Sequence, residues 1–248
     1  MNTVHIGDCR EVMRTLIAEG VRVDVVIADP PYGETNLEWD RWPEGWLLPA
    51  RHVLKDTGSM WLFGSLRMFL RHGIEIGQMA IAQEVVWEKH NGSGSHADRF
   101  RRVHELVLQL YRAEAPWREV YKKPLFSEDA TARTIRRKQK PQQWGGIGEH
   151  FYESIDGGPR MLRSVWCCRS EHGVAMHPTQ KPEAIIAPLI EYSCPPGGTI
   201  LDPFAGSGTV AACAAKLGRQ CISIESNPAY GKLIEQRTRG TLGLELIA

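Results

Sequence analysis

The segment LDPFAGSGTV, residues 201–210, joins an apolar strand to a helix through a turn of small residues. TILDPF, starting at Thr199, reads as a strand that delivers Asp202. TVAACAAKLG, starting at Thr209, reads as a helix rich in small residues. Between them, Gly206 and Gly208 permit positive φ and close approach of a ligand to the backbone. The amino end of the helix presents unpaired N–H groups and partial positive charge to an anion. The loop fits neither GxGxxG nor GxxxxGKS/T, which excludes the dinucleotide fingerprint and the P-loop. The next strand, QCISIE, ends at Glu225, seventeen positions after Gly208. A carboxylate there can accept hydrogen bonds from both hydroxyls of a ribose.

The same alternation runs through most of the chain. TVHIG (3–7) reads as a strand, and Asp8 caps a helix, CREVMRTLIAE, that stops at Gly20. VDVVIA (23–28) is an apolar, β-branched run halted by Pro30 and Pro31, the pattern of a buried parallel strand. SMWLFG (59–64) and EVVWE (84–88) read as further strands, and HELVLQLYR (104–112) as a strand with a helix still open. KPEAIIAPLIEYSC predicts a helix after Pro182, and AYGKLIEQRTR predicts the last one. Strands alternating with helices imply an α/β fold with a mostly parallel, doubly wound sheet. Residues 113–164 lack this rhythm and are expected to form an insertion with little regular structure, between catalytic segments 1–112 and 165–248.

Asp29-Pro30-Pro31-Tyr32 follows directly on VDVVIA. Ligands of open α/β sheets sit at the carboxyl ends of the strands, so this tetrapeptide is expected to face the crevice of the glycine loop. Its chemistry suits an aromatic amine, whose lone pair is delocalised into a ring. The Asp29 carboxylate and the Pro30 carbonyl can accept both amino hydrogens, which localises that lone pair on nitrogen. Pro30 and Pro31 fix φ and so hold the carbonyl in place. Tyr32 can stack on a base swung out of its helix.

Bulk properties narrow the function further. Net charge is +1, yet Arg112 to Gln143 holds nine Lys/Arg against four Asp/Glu, a local +5. A basic middle in a slightly acidic chain suits a phosphate-binding region, with Arg133, Arg136, Arg137, Lys138 and Lys140 as candidate DNA contacts. The six cysteines form no CxxC pair and no cluster with zinc spacing, so no metal is expected. No run of about 18 apolar residues suggests a membrane span, and the amino terminus does not read as a signal peptide. A cytoplasmic, nucleoid-associated protein is expected.

The Asp29–Tyr32 tetrapeptide and the DPFAGSGT loop together resemble the DNA amino-methyltransferases. The catalytic motif precedes a variable basic segment, and the cofactor loop follows it. That circularly permuted order resembles the β class of these enzymes. His177-Pro178-Thr179-Gln180-Lys181-Pro182, His5-Ile6-Gly7-Asp8-Cys9, Trp87-Glu88-Lys89 and His104-Glu105 resemble further segments of that class. The resemblance covers residues 1–112 and 165–238. It implies a Rossmann-like methyltransferase fold, S-adenosyl-L-methionine as cofactor, double-stranded DNA as substrate and a homodimer. Asp29, Pro30, Pro31 and Tyr32 are then the catalytic residues. Cofactor contacts are expected from Asp8, Cys9, Asp29, Lys181, Asp202, Phe204, Gly206, Ser207, Gly208, Thr209 and Glu225. Residues 113–164 lie where that class carries target recognition, and the glycine-rich stretch 90–100 reads equally as a closing loop or a plain linker.

Members of this class that act on N4 of cytosine more often carry Ser at the head of the tetrapeptide, so the resemblance, with Asp29 here, implies N6 of adenine, and the cytosine reading stays open. Methylation of RNA or of protein glutamine is a further alternative. A cytosine-C5 enzyme needs a Pro-Cys nucleophile motif, whereas Cys194 here precedes Pro195.

Overall fold

The computed structural model describes residues 2–93, 97–137, 150–169 and 180–245, and the side chains of all of these except 91–93, 137, 150 and 239–245. The chain divides into two compact units, Met1–Lys123 with Ser164–Ala248, and Pro124–Arg163.

The larger unit is built on one sheet. In chain order its elements are β1 (Thr3–Ile6), α1 (Cys9–Ala18), β2 (Val23–Ala28), α2 (Leu47–Val53), β3 (Leu54–Gly64), α3 (Leu66–Arg71), α4 (Gly73–Ile76), β4 (Met79–Ser93) and β5 (Arg102–Arg112). The smaller unit contributes β6 (Phe126–Ser127), β7 (Arg133–Arg137), β8 (His150–Ser154) and β9 (Arg160–Met161). The larger unit resumes with β10 (Val165–Cys167), α5 (Glu183–Ser193), β11 (Thr199–Asp202), α6 (Thr209–Lys216), β12 (Gln220–Glu225) and α7 (Pro228–Glu245).

The strand order is β1-β12-β11-β2-β3-β5-β4-β10. The ladders from β1 to β3 are parallel, and β5 runs against both of its neighbours. From β11 the chain winds outward through β12, and from β2 it winds the other way through β3. The junction of β11 and β2 is therefore the switch point at which doubly wound sheets open a ligand crevice.

Side-chain alternation explains the three layers. Val26 and Ala28 of β2, with Met60 and Leu62 of β3, pack on Met13 and Leu16 of α1 and on residues of α2 and α3. Val25, Ile27, Trp61 and Phe63 face the opposite side, against Ile185, Ile186 and Leu189 of α5, Val210 and Ala211 of α6, and Ile234. All six residues of β2 are buried, because both faces of this central strand are covered.

The open choice for residues 104–112 resolves as strand, and β4 is much longer than 84–88 because it pairs along β5 over most of its length. The expectation of little regular structure in 113–164 needs correction. In the smaller unit β6 pairs β9 and β7 pairs β8, both antiparallel, and the Asp156 carboxylate accepts from the Ala132 amide at 2.6 Å. Residues 113–123 belong to the larger unit: the Tyr121 amide donates to the Thr57 carbonyl and the Lys123 amide to that of Tyr192. Among the described residues no helix is long and apolar enough to cross a membrane.

Candidate active site

A cavity of about 1260 Å³ opens at the carboxyl ends of β1, β12, β11 and β2. Its wall takes Asp8 from the end of β1, Glu225 from β12, Asp202 from β11 and Asp29 to Tyr32 from β2. Four strand ends thus deliver four carboxylates to one crevice, and each is held differently.

Asp8 caps α1, accepting from the Arg10 amide at 2.8 Å and from the Arg10 guanidinium at 2.9 and 2.5 Å. The Arg10 hydrogen bonds pull its pKa down to about 2, against a small opposing effect of burial. Cys9 lines the cavity beside it, and burial pushes its thiol up to about 12, so it stays protonated.

Glu225 accepts from the Gly206 amide at 2.8 Å through one oxygen and from the Asn227 amide at 2.8 Å through the other. The glycine loop is therefore fastened to the next strand by the same acid the sequence singles out. Gly206 has φ +50°, a conformation that costs a side chain but not glycine. Asp202 is 3% exposed and accepts from the Phe204 amide at 3.1 Å. Burial raises its pKa to about 8, and the nearby Asp29 and Glu225 add to the effect against that one hydrogen bond. Phe204 lines the cavity and packs edge-on against Trp46 at 5.0 Å between ring centroids. The hydroxyl of Thr209, at the start of α6, is buried at the cavity and has no hydrogen-bond partner among the described residues.

Gly208 stands apart from the expected cofactor set, outside the cavity wall. Its φ is +80°, its amide donates to the Ala205 carbonyl, and a Cβ there would meet Ile234 at 3.0 Å. It serves the turn and the close packing of α7. Ser207 lines the cavity, its hydroxyl donates to Gln180 at 2.9 Å, and Arg237 donates to its carbonyl at 2.7 Å.

Asp29 is held by both oxygens. The Tyr32 hydroxyl donates to one at 2.8 Å, and the Lys181 ammonium meets the other at 2.5 Å. Lys181 also lies 3.4 Å from Glu105, which pairs on its other oxygen with Lys89. A line of alternating charges thus runs from β4 through β5 to the tetrapeptide. Burial acts to lower the Lys181 pKa, but Asp29 and Glu105 outweigh it and raise the value. Burial likewise opposes the ionised form of Glu105, and Lys181 and Lys89 hold its pKa below the usual range. Burial, then the Asp29 and Glu105 carboxylates, keep the Tyr32 hydroxyl protonated well above its usual range.

The loop after Tyr32 is organised by Asp40, whose carboxylate accepts from the amides of Gly33, Glu34 and Thr35 at 2.7–3.0 Å. Glu34 in turn accepts from Arg102 at 2.9 Å and from the Ser65 hydroxyl. Sequence reasoning singled out neither Asp40 nor Glu34, and named Lys89 and Glu105 only as parts of resembling segments. The Glu34–Arg102 and Lys181–Glu105 pairings link residues far apart in the chain, and Asp40 acts within seven residues in a loop without a recognisable motif.

Residues 23–236 match the family model of the N6_N4_Mtase proteins, described as DNA methylase. The chain belongs to this DNA methylase family. The methylase is 29% identical over 267 residues to the Type II methyltransferase M.HinfI of Haemophilus influenzae, covering 96% of this chain and 68% of the relative. Among solved structures, the M1.HpyAVI–SAM complex superposes with a TM-score of 0.65 at 24% identity, over 96% of this chain and 98% of that one. The cytosine-N4-specific PvuII DNA methyltransferase superposes with a TM-score of 0.61 at 16% identity, over 95% and 87%. Both likenesses support the Rossmann-like methyltransferase fold.

In the methylase, Arg133 and Arg136 lie on β7 of the smaller unit, and Arg136 packs over the Phe151 ring at 5.5 Å. The side chain of Arg137 and all of Lys138 and Lys140 lie outside the described residues, as do His177, Pro178 and Thr179 and part of the stretch 90–100. Among the described residues, no group of three His, Cys, Asp or Glu could hold a metal ion.

Proposed function

We propose that this methylase transfers the methyl group of S-adenosyl-L-methionine to N6 of adenine at a specific site in double-stranded DNA. The observation that carries the reading is the meeting, in one cavity, of the Asp29–Tyr32 tetrapeptide and the Glu225-anchored glycine loop. Family membership supplies DNA methylation, and Asp29 at the head of the tetrapeptide favours adenine.

The cofactor fits the residues present. The Thr209 hydroxyl at the amino end of α6, without a partner among the described residues, suits the carboxylate of an amino acid. The Glu225 oxygen that accepts from the Gly206 amide keeps a lone pair for a ribose hydroxyl, while the other accepts from the Asn227 amide and the Ser226 hydroxyl. Asp8, held ionised by Arg10, suits an exocyclic amine of the cofactor's adenine, and Phe204 offers it an aromatic face. Cys9, Asp202, Gly206 and Ser207 complete the proposed wall. When bound, the cofactor supplies an electrophilic methyl on a sulfonium.

The chain's own part is alignment and charge placement. Asp29 and the Pro30 carbonyl accept the two amino hydrogens of the flipped base. Pro30 and Pro31 hold that carbonyl still, and Tyr32 stacks on the ring. Lys181 orients the Asp29 carboxylate and balances its buried charge, with Glu105 and Lys89 behind it.

Of the expected insertion 113–164, the unit Pro124–Arg163 forms the target-recognition region in this reading, and residues 113–123 go with the larger unit. Its support is the basic charge and its position between the catalytic and cofactor segments. A homodimer is proposed from the resemblance of the chain to the β class, and a monomeric mass by light scattering with and without DNA contradicts it. A role in restriction–modification is proposed by analogy with the Type II methyltransferase relative, and a place at the nucleoid follows from the proposed DNA substrate alone. Modification-sensitive sequencing of DNA from cells expressing the protein tests the reading. Methylated adenine in one recurrent sequence is expected. Methylated cytosine at N4 overturns the base assignment, and unmodified DNA overturns the whole reading.

A further inference from the structure

Phe100 is 102% exposed, and it lines the mouth of the cavity. A phenylalanine left wholly in water stabilises nothing in the folded chain, since burial of its ring is what it has to contribute. Its neighbours are Arg99, Arg101 and Arg102, all exposed and all on the same wall. The segment is also tethered. Arg102 opens β5 and binds Glu34 at 2.9 Å, and Glu34 belongs to the loop that follows the Asp29–Tyr32 tetrapeptide. An apolar ring is thus held two residues from an anchor that leads directly to the catalytic motif. Arg41 and Arg67 add positive charge to the same rim, and Trp39, 52% exposed, adds a second aromatic.

Those features match one kind of partner. A cationic rim repels a second copy of itself and attracts a polyanion, so charge complementarity selects nucleic acid over self-association. A base that leaves a duplex opens a gap in the stack, and apolar side chains inserted between base steps fill such gaps. We propose that Phe100 is a wedge that enters the duplex where the target base has left it, with Arg99 and Arg101 on the flanking phosphates. The proposal rests on the reading of the substrate as duplex DNA.

The test compares Phe100→Ala with the wild type on two substrates that carry the recognition sequence. One is fully paired, and in the other the target base faces an abasic position and is already unpaired. A wedge matters only where the base must be extracted. The variant should lose about tenfold or more in kcat/KM on the paired duplex and less than about threefold on the unpaired one, with Phe100→Trp restoring most of the loss. Cofactor affinity should not change. Equal losses on both substrates, or no loss on the paired duplex, overturn the wedge. A change in molar mass of Phe100→Ala by light scattering overturns it in favour of a contact between copies. Wild-type turnover on the paired duplex, measured alongside, checks the substrate reading separately, and its absence overturns both.

Discussion

Glu225 holds two backbone amides, whereas Asp29 holds a lysine and a tyrosine hydroxyl, so the two acids should fail differently when removed. Glu225→Ala removes the proposed ribose acceptor and frees the Gly206 amide. Cofactor affinity by calorimetry should fall by about 1.5–3 kcal/mol, the range for a charge-assisted hydrogen bond. Lys181→Met removes the cation between Asp29 and Glu105 and leaves two half-buried carboxylates without their shared partner. It should cut turnover about 100-fold with a smaller loss of cofactor affinity, since Lys181 is also an expected cofactor contact, lower the thermal midpoint, and be partly rescued by Lys181→Arg. Unchanged affinity in the first variant, or affinity lost in step with turnover in the second, contradicts this division. The places of Asp29 and Glu225 at strand ends on one cavity were legible because residue type, strand end and spacing all lie within a few positions of each other. The Lys181–Asp29 pair spans 152 residues, and no local pattern reports a contact of that range.

The segment β11–turn–α6 carries a consequence for stability. Asp202 ends β11 with no cationic partner among the described residues, and burial lifts its pKa from 3.8 to about 8. A raised pKa means that the folded state binds a proton the unfolded state has released. The sign is therefore fixed: the contribution is full below about pH 4, declines as pH rises, and has gone above about pH 8. Between those limits the slope is at most roughly 1.4 kcal/mol per pH unit for one proton. Denaturant midpoints of the wild type should fall from pH 6 to pH 8, and Asp202→Asn, which mimics the protonated acid, should flatten the decline. Equal slopes in the two proteins contradict the assignment. The elements themselves were readable where burial imposed a pattern, as in VDVVIA and QCISIE. They were not readable between residues 33 and 58 or at 66–76. There α2 starts at Leu47, preceded by Trp46, which gives no side-chain cap, α3 has only six residues, and α4 has four, too few for a helical period to show. β10, three residues long, is defined by its ladder to β4 rather than by its composition.

At the scale of the whole molecule, the basic charge lies in two places, where the sequence suggested one. The run near Arg133–Lys140 was visible as a local excess, whereas the rim of Arg67, Arg99, Arg101 and Arg102 is assembled from separate segments by the fold. Reversing Arg133 and Arg136 to Glu should weaken DNA binding and reduce the slope of log affinity against log salt by roughly one to two, about one counterion per lost phosphate contact. An unchanged slope leaves β7 as a solvated strand. The circular order of the motifs was legible because both crevice-forming turns carry their own signatures. The paired strands of the smaller unit were not, because β6 and β9 are each two residues long.

The central claim is methyl transfer to an exocyclic amine positioned by Asp29, and one measurement bears on it directly. Duplex DNA is incubated with the protein and S-adenosyl-L-methionine, digested to nucleosides and analysed by mass spectrometry, with Asp29→Ala in parallel. N6-methyladenine should accumulate with the wild type and fall to background with the variant, while folding and DNA binding of the variant persist. Mainly N4-methylcytosine would overturn adenine and leave the mechanism standing; substantial N6-methyladenine from Asp29→Ala, or no methylated amine from the wild type, would contradict the mechanism itself.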